Sequence, residues 1–291
     1  MKNLPNKDFV TAELSRRTFF RFVQEFWGEI IHDEPVWNWH IPFLCEELEK
    51  VTATVIRNEP KLYDFICNIC PGTTKSTLVS IMLPCWLWIN RPDLVILLNT
   101  VSQTNATKFA MKRREILSSA KFKRLFPEIA LRQDAQALYA IKNNHGGEMT
   151  QYTTKGSITG DHGHIKIDDD PMSYKDAISE EEAKRCINGY KALSTRNKDA
   201  RKTVYIQVMQ RLSTRDTTQH VLKTLTNIRH IVLPAKVNDK VQPPELADRY
   251  IDGFLDPVRL GDDTLEELKK GLAGDEDDPM SEAEFNAQFG Q

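Results

Sequence analysis

The side chains best suited to chemistry fall in three short segments, each placed where an apolar strand should end. The first is Cys70-Pro71-Gly72-Thr73-Thr74-Lys75-Ser76-Thr77, set between an apolar run and a helical pattern. In that setting backbone N–H groups at a helix N-terminus face an anion, and the helix dipole favours its charge. Lys75 would then reach the β- and γ-phosphates of a nucleotide, and the Ser76 hydroxyl would sit on Mg²⁺. Ile69 and Thr74 occupy the glycine positions of G-x-x-x-x-G-K-[ST], so a plain Pro-Gly turn before a Ser-capped helix is the alternative reading.

The second segment, His164-Ile165-Lys166-Ile167-Asp168-Asp169-Asp170-Pro171, puts a run of carboxylates at a strand end. Nucleotide hydrolysis needs one such group in the Mg²⁺ shell and another to orient or deprotonate the attacking water. Adjacent aspartates repel one another and raise their own pKa values unless a cation sits among them. A solvated acidic turn before a proline is the competing reading. The third segment, Val208-Met209-Gln210-Arg211-Leu212-Ser213, places Gln210 where it could sense a γ-phosphate. A strand that simply exits into solvent would look the same.

These segments need a scaffold of strands and helices. Residues 62–69, 93–99, 147–153, 164–168, 203–209 and 228–233 read as strands, most of them nearly continuous apolar runs. Residues 9–31, 40–57, 76–89, 102–118, 176–192 and 216–225 read as helices, with Pro84 expected to kink or end the 76–89 helix. Strands alternating with helices indicate a mostly parallel α/β sheet. From Pro234 onward the chain turns polar, Pro-rich and acidic, and reads as a linker with a small helical tail. The expected divisions are a helical lead-in over 1–60, a core over 61–235 and a linker or tail over 236–291.

Composition narrows the class. A length of 291 residues with 40% hydrophobic and 27% charged residues is ordinary for a globular chain. The formal net charge of -2 excludes a protein coated in positive charge but not a local basic patch. Residues 107–124 are basic and 262–284 acidic. Five cysteines, Cys45, Cys67, Cys70, Cys85 and Cys186, fit no disulfide framework. The Cys67/Cys70 pair lacks a second Cys/His pair at zinc spacing and reads as part of a buried strand entering a turn. Reduced cytosolic thiols fit best. No signal core and no run of about 18 apolar residues is present, so neither secretion nor a membrane span is expected.

Taken together, the motifs resemble the large terminase subunits of tailed bacteriophages. Members often carry P-P-G-x-x-K-S, here Cys70-Pro71-Gly72-Thr73-Thr74-Lys75-Ser76, followed by a W-x-W before a proline, here Trp86-Leu87-Trp88 and Arg91-Pro92. A Gly-Ser-x-Thr-Gly element is matched by Gly156-Ser157-Ile158-Thr159-Gly160, an Asp-Asp-Pro by Asp169-Asp170-Pro171, and a Met-Gln-Arg-Leu by Met209 to Leu212. Leu233-Pro234-Ala235 and Phe285 to Gln291 match the closing elements. The motifs run in order from about residue 36 to the last. Cys70 replaces a proline, Ser213 a histidine, Thr217 the leucine that follows an aspartate, here Asp216. The aspartate run has one extra member, so the working pair is Asp168/Asp169 or Asp169/Asp170; the adjoining Pro171 favours the second.

The resemblance implies a RecA-like P-loop NTPase of the ASCE type with helical additions at both ends, using ATP and Mg²⁺. It implies that Pro71 to Thr77 cradle the phosphates, Ser76 and Asp169 serve the metal, Asp170 activates water and Gln210 couples hydrolysis to movement. Adenine is expected near Trp37 to Pro42. Family motors work as rings in which a neighbour's arginine stabilises the transition state. Gly72 stands where some terminases place an arginine in cis, so Arg124 and Arg132 become candidates for that role, with Arg113 and Arg114 behind them. Lys108, Lys112, Arg113, Arg114, Lys121, Lys123 and Arg124 could grip double-stranded DNA through its phosphates, or could be a solvated helix face. Implied partners are the portal protein, the small terminase subunit and further copies of the chain, in the host cytoplasm and transiently at the procapsid portal vertex, with no membrane. A nuclease domain is expected to follow such a domain, and no spaced carboxylates for it are seen here. A helicase and a catalytically weak scaffold protein at the capsid vertex are the competing readings.

Overall fold

The computed structural model describes residues 6–132, 137–158, 160–273 and 279–290. Thr159 and Gln291, named above among the family motifs, lie outside the described residues.

The chain begins with helices α1 (Lys7–Arg17), α2 (Phe19–Phe26) and α3 (His40–Ile56). Where the apolar spacing over 9–31 suggests one long helix, Thr18 interrupts it. Its backbone is extended, and its hydroxyl caps α2 by accepting from Arg21 N, a local bond that competes with helix continuation. The break turns Phe19, Phe22 and Phe26 fully into the core. Phe26 lies 4.6 Å from Phe22 and 5.9 Å from Phe122, centroid to centroid.

Seven strands follow among the described residues: β1 (Asp64–Ile69), β2 (Val95–Thr100), β3 (Ala140–Lys142), β4 (Glu148–Thr153), β5 (Ile165–Asp169), β6 (Val204–Met209) and β7 (Ile228–Leu233). They form one sheet in the order β3-β4-β2-β5-β6-β1-β7. Every pairing is parallel except β3 with β4. The apolar runs explain this arrangement, because parallel strands are covered on both faces; every residue of β1 and β6 is buried. Short β3 was not expected from the sequence, since a three-residue edge strand has too few positions to show a period. The order sets β6 between β1 and β5, as in RecA-like folds. Register aligns Asn68 with Met209 and Asp169 with Val208, so the carboxyl ends of these three strands open side by side.

Helices α4 (Leu83–Asn90), α5 (Gln103–Ser118), α6 (Ala120–Leu125), α7 (Tyr174–Ile178), α8 (Glu180–Ser194) and α9 (Thr217–Thr224) connect the strands. Ser179 divides the expected 176–192 helix by capping α8. Ahead of α4, residues Thr77–Met82 form a widened π turn. Pro84 explains it: a proline lacks the N–H for the residue four positions back and its ring clashes with that carbonyl. The carbonyl concerned, Ser80 O, instead accepts from Arg113 Nη1 at 2.6 Å. Arg113 is fully buried and its second terminal nitrogen donates to Gln151 Oε1 at 2.9 Å.

Beyond Leu233 the chain forms α10 (Pro257–Leu260), α11 (Asp262–Ala273) and α12 (Pro279–Phe289). Val241, Leu246, Leu255 and Leu260 from this segment enter the same apolar cluster as β1 and β7. Ala235 N donates to Phe289 O at 3.0 Å, and Leu255 N to Ala235 O at 2.9 Å. The polar composition of 236–291 hides these anchors, which are single apolar residues without a regular period.

Arg113→Leu removes the donor from two buried acceptors, at about 1–3 kcal/mol for each. Urea denaturation of that variant is expected to show about 3 kcal/mol of lost stability.

Candidate active site

The candidate phosphate loop, Cys70 to Thr77, leaves β1 at Ile69 and closes on itself through Thr73 Oγ1, which donates to Cys70 O at 2.7 Å. Gly72 has φ 79°, a conformation glycine takes freely. Thr74 follows at φ 67°. A β-branched residue there is strained by about 1–3 kcal/mol and must be held by its surroundings. His40, the first residue of α3, is fully buried behind the loop and its Nε2 lies 3.2 Å from Thr73 O. Burial brings the His40 pKa down from 6.5 to about 4, against a smaller opposing pull from Asp256. The ring is therefore neutral, with Nε2–H as the donor to the carbonyl.

Lys75 is 6% exposed. Its Nζ donates to Gln210 Oε1 at 2.7 Å, lies 3.5 Å from Ile69 O, and pairs with Asp170 Oδ1 at 3.1 Å. Asp170 takes φ 45°, which turns its carboxyl across the strand ends toward Lys75. Asp170 N donates to Val208 O and its carbonyl accepts from Val101 N, so the turn is fixed to β6 and to the end of β2.

Asp169 faces the helix after the loop. Ser76 Oγ donates to Oδ1 at 3.0 Å and Ser80 Oγ to Oδ2 at 2.7 Å. Burial, and then the neighbouring Asp170, push its pKa up to about 7. A charge so penalised is the kind a cation stabilises. The donor set suits magnesium: a hydroxyl and a carboxylate, both hard oxygens, with a 3.0 Å separation close to the edge of an octahedron of oxygens at about 2.1 Å. No cluster of three or more His, Cys, Asp or Glu side chains suited to a metal occurs among the described residues.

Asp168 points to the other face of the sheet, as strand alternation requires. Its carboxylate accepts from Asn99 Nδ2 at 2.7 Å and Tyr205 OH at 2.6 Å, and burial raises its pKa to about 6. Of the two aspartate pairs left open by the sequence, the geometry brings together Asp169 and Asp170 with Lys75, and keeps Asp168 away.

The basic residues do not converge on this site. Arg113 is a core residue, so its charge reaches neither DNA nor a neighbour. Arg124 pairs with Asp8 of α1 at 3.2 Å, and Lys121 with Glu25 and Glu29 at 3.3 and 3.4 Å. Lys112 donates to Ile30 O at 2.5 Å and Arg114 to Ala137 O at 3.2 Å. Lys108, Lys123 and Arg132 are exposed. Much of the basic stretch thus fastens α5 and α6 to the N-terminal helices. Neither Ser80 nor His40 stands out in the sequence, and Arg113, expected there as a finger or a DNA contact, is instead a core residue. Ser80 was accessible to the sequence, lying four residues after Ser76 on the same helix face; the others act through folding alone.

The crystal structure of the HK97 bacteriophage large terminase superposes on 95% of this chain with a TM-score of 0.55 at 14% sequence identity. The chain shares the fold of a phage large terminase. It spans 55% of that protein's length. The Thermus phage P74-26 large terminase ATPase domain aligns with 90% of this chain and 95% of its own, at 11% identity and a TM-score of 0.40. A mutant of that domain aligns over 90% and 96% respectively, at 11% identity and a TM-score of 0.44. No protein-family model and no curated protein matches the chain. Among the described residues no helix is long and apolar enough to cross a membrane.

The depressed His40 pKa has a consequence for stability. The neutral ring is favoured by folding, so this contribution is intact above pH 6.5 and is lost as pH falls toward 4. At about 1.4 kcal/mol per pH unit the loss is roughly 3 kcal/mol. Urea denaturation across this range is expected to give a shallower decline for His40→Gln than for the native chain.

Proposed function

We propose that this chain is the ATPase motor domain of a phage large terminase, hydrolysing ATP to drive double-stranded viral DNA into a procapsid. The observation that carries the reading is the meeting of Lys75, Asp170 and Gln210, from three separate strand ends, within 3.1 Å of a single ammonium group, beside the buried Asp169. Terminase-like fold and this site together support a nucleotide hydrolase, while the fold alone would leave the chemistry open.

Lys75 and the loop N–H groups of Pro71 to Thr77, Pro71 itself excepted, bind the phosphates. Phosphate oxygens draw the ammonium away from Asp170, which becomes a base for the attacking water. Gln210 leaves Lys75 for the γ-phosphate and reports its loss to the loop before α9. Ser76 and Asp169 would hold Mg²⁺, which when bound would neutralise charge building on the transferring phosphoryl group. Their mutual hydrogen bond keeps both oxygens aimed at one point.

The active form is a ring of copies around DNA, with an arginine from a neighbour completing the site; the exposed Arg132 and Arg124 remain candidates for it, and the half-buried Arg114 a weaker one. DNA contacts are made to the backbone, with exposed Lys108 and Lys123 more available than their neighbours. The portal protein and a small terminase subunit are the proposed partners, at the procapsid vertex in the host cytoplasm. Thr74 at a glycine position favours one competing reading, a scaffold that binds nucleotide without turning it over.

ATP hydrolysis at high protein concentration tests the assignment. Lys75→Ala and Asp170→Asn are each expected to lower turnover by about 10²–10⁴. Asparagine tolerates the left-handed backbone of position 170, so that variant keeps the turn. Binding of Mg·ATP without turnover, even with DNA and portal present, would favour the scaffold. Turnover per chain is also expected to rise with protein concentration; a constant value down to dilute monomer would remove the ring requirement.

A further inference from the structure

The phosphate loop turns at position 74 without a glycine. Thr74 is held in the left-handed region by what surrounds it, and its side chain has one partner of note: Arg259 Nη1 donates to Thr74 Oγ1 at 2.8 Å, across 185 residues of sequence. Arg259 is delivered by a well-anchored turn. Asp256, 1% exposed, caps α10 by accepting from Arg259 N at 3.3 Å. The preceding Leu255 is fully buried, and its carbonyl accepts from Asn38 Nδ2 at 2.7 Å. Leu260 closes the same turn in the core. Asn38 lies just before α3, whose His40 holds the adjacent Thr73 carbonyl. The outer wall of the loop is therefore braced by two residues from opposite ends of the chain, one on a carbonyl and one on a hydroxyl.

We propose that Arg259 is a positioning residue for the phosphate loop: through the Thr74 hydroxyl it holds the left-handed turn that a glycine at position 74 would adopt unaided, and so keeps the loop N–H groups facing the nucleotide phosphates. The proposal rests on the nucleotide-binding reading of that loop. It makes Arg259 necessary only because residue 74 carries a side chain. Its effect falls on affinity for the phosphates, and it is exerted by the segment after β7, which the sequence presents as a polar tail.

The test is isothermal titration calorimetry with Mg·ADP on the full chain and four variants. Arg259→Ala is expected to weaken binding about tenfold, the weight of one charge-assisted hydrogen bond. Thr74→Gly is expected to bind at least as tightly as the native chain. Adding Arg259→Ala to Thr74→Gly should change affinity by less than about twofold, because the two residues act as one unit. An unchanged affinity in Arg259→Ala overturns the proposal. So does a tenfold loss that persists in the Thr74→Gly background, which would put Arg259 on the nucleotide itself or in a purely structural role. If Thr74→Gly does not fold, Thr74→Val removes the accepting hydroxyl while keeping the branched shape; it is expected to weaken binding as much as Arg259→Ala does, and a further tenfold loss in the double variant overturns the proposal. Lys75→Ala separates this proposal from the reading beneath it. Loss of Mg·ADP binding in Lys75→Ala with neutral Arg259 variants sinks only the positioning role, whereas native-like binding by Lys75→Ala, or none by the native chain, removes the nucleotide site and this role with it.

Discussion

The Asp169 carboxylate, buried and gripped by Ser76 and Ser80, is the contact on which the site's geometry depends. It fastens the end of β5 to the helix that follows β1, although those strands are not neighbours in the sheet. Both serine hydroxyls must lie on one face of a short helical stretch, and the widened turn before Pro84 decides how that stretch runs. The carbonyl that Pro84 releases is taken by Arg113, so the same residue, Ser80, carries a bond to the core through its backbone and a bond to the site through its side chain. A buried arginine without a carboxylate partner is costly; here its two terminal nitrogens satisfy carbonyl oxygens that would otherwise be stranded, while its Nε is left without a partner among the described residues.

Beneath the opposite face of the sheet, polar side chains form a second layer of order. Asn99 binds Asp168, Tyr205 binds Asp168, Gln207 Nε2 binds Thr218, and Asn68 binds Thr218 and His230. The chain of contacts crosses β2, β5, β6, β1 and β7. Buried polar groups that find partners specify one arrangement, since any slip leaves several of them unpaired in a low dielectric. That network accounts for Asp168 without assigning it chemistry, and it holds the strand ends whose loops form the site.

The C-terminal segment completes the loop's support. Its anchors are dispersed leucines and a few backbone bonds, yet they bring α10 against the phosphate loop.

The sequence by itself determined the alternation of strand and helix, the parallel character of the sheet, the loop around Lys75 and the strand ends bearing Asp169, Asp170 and Gln210. Those features are local: an apolar run, a turn signal and a strand's period of two are complete within a few residues, and motifs kept in order point to a family. Tertiary structure alone decided which aspartate faces the loop, because that depends on which face of β5 meets the helix after β1. It also decided that Arg113 is a core residue, Arg124 an ion-pair partner of α1, and Arg259 a neighbour of Thr74. A charged residue carries no sign in the sequence of whether its partner is solvent, a carbonyl or a distant side chain. That outcome is set by long-range packing, when the order of strands and the course of the chain after β7 bring remote segments within hydrogen-bond reach.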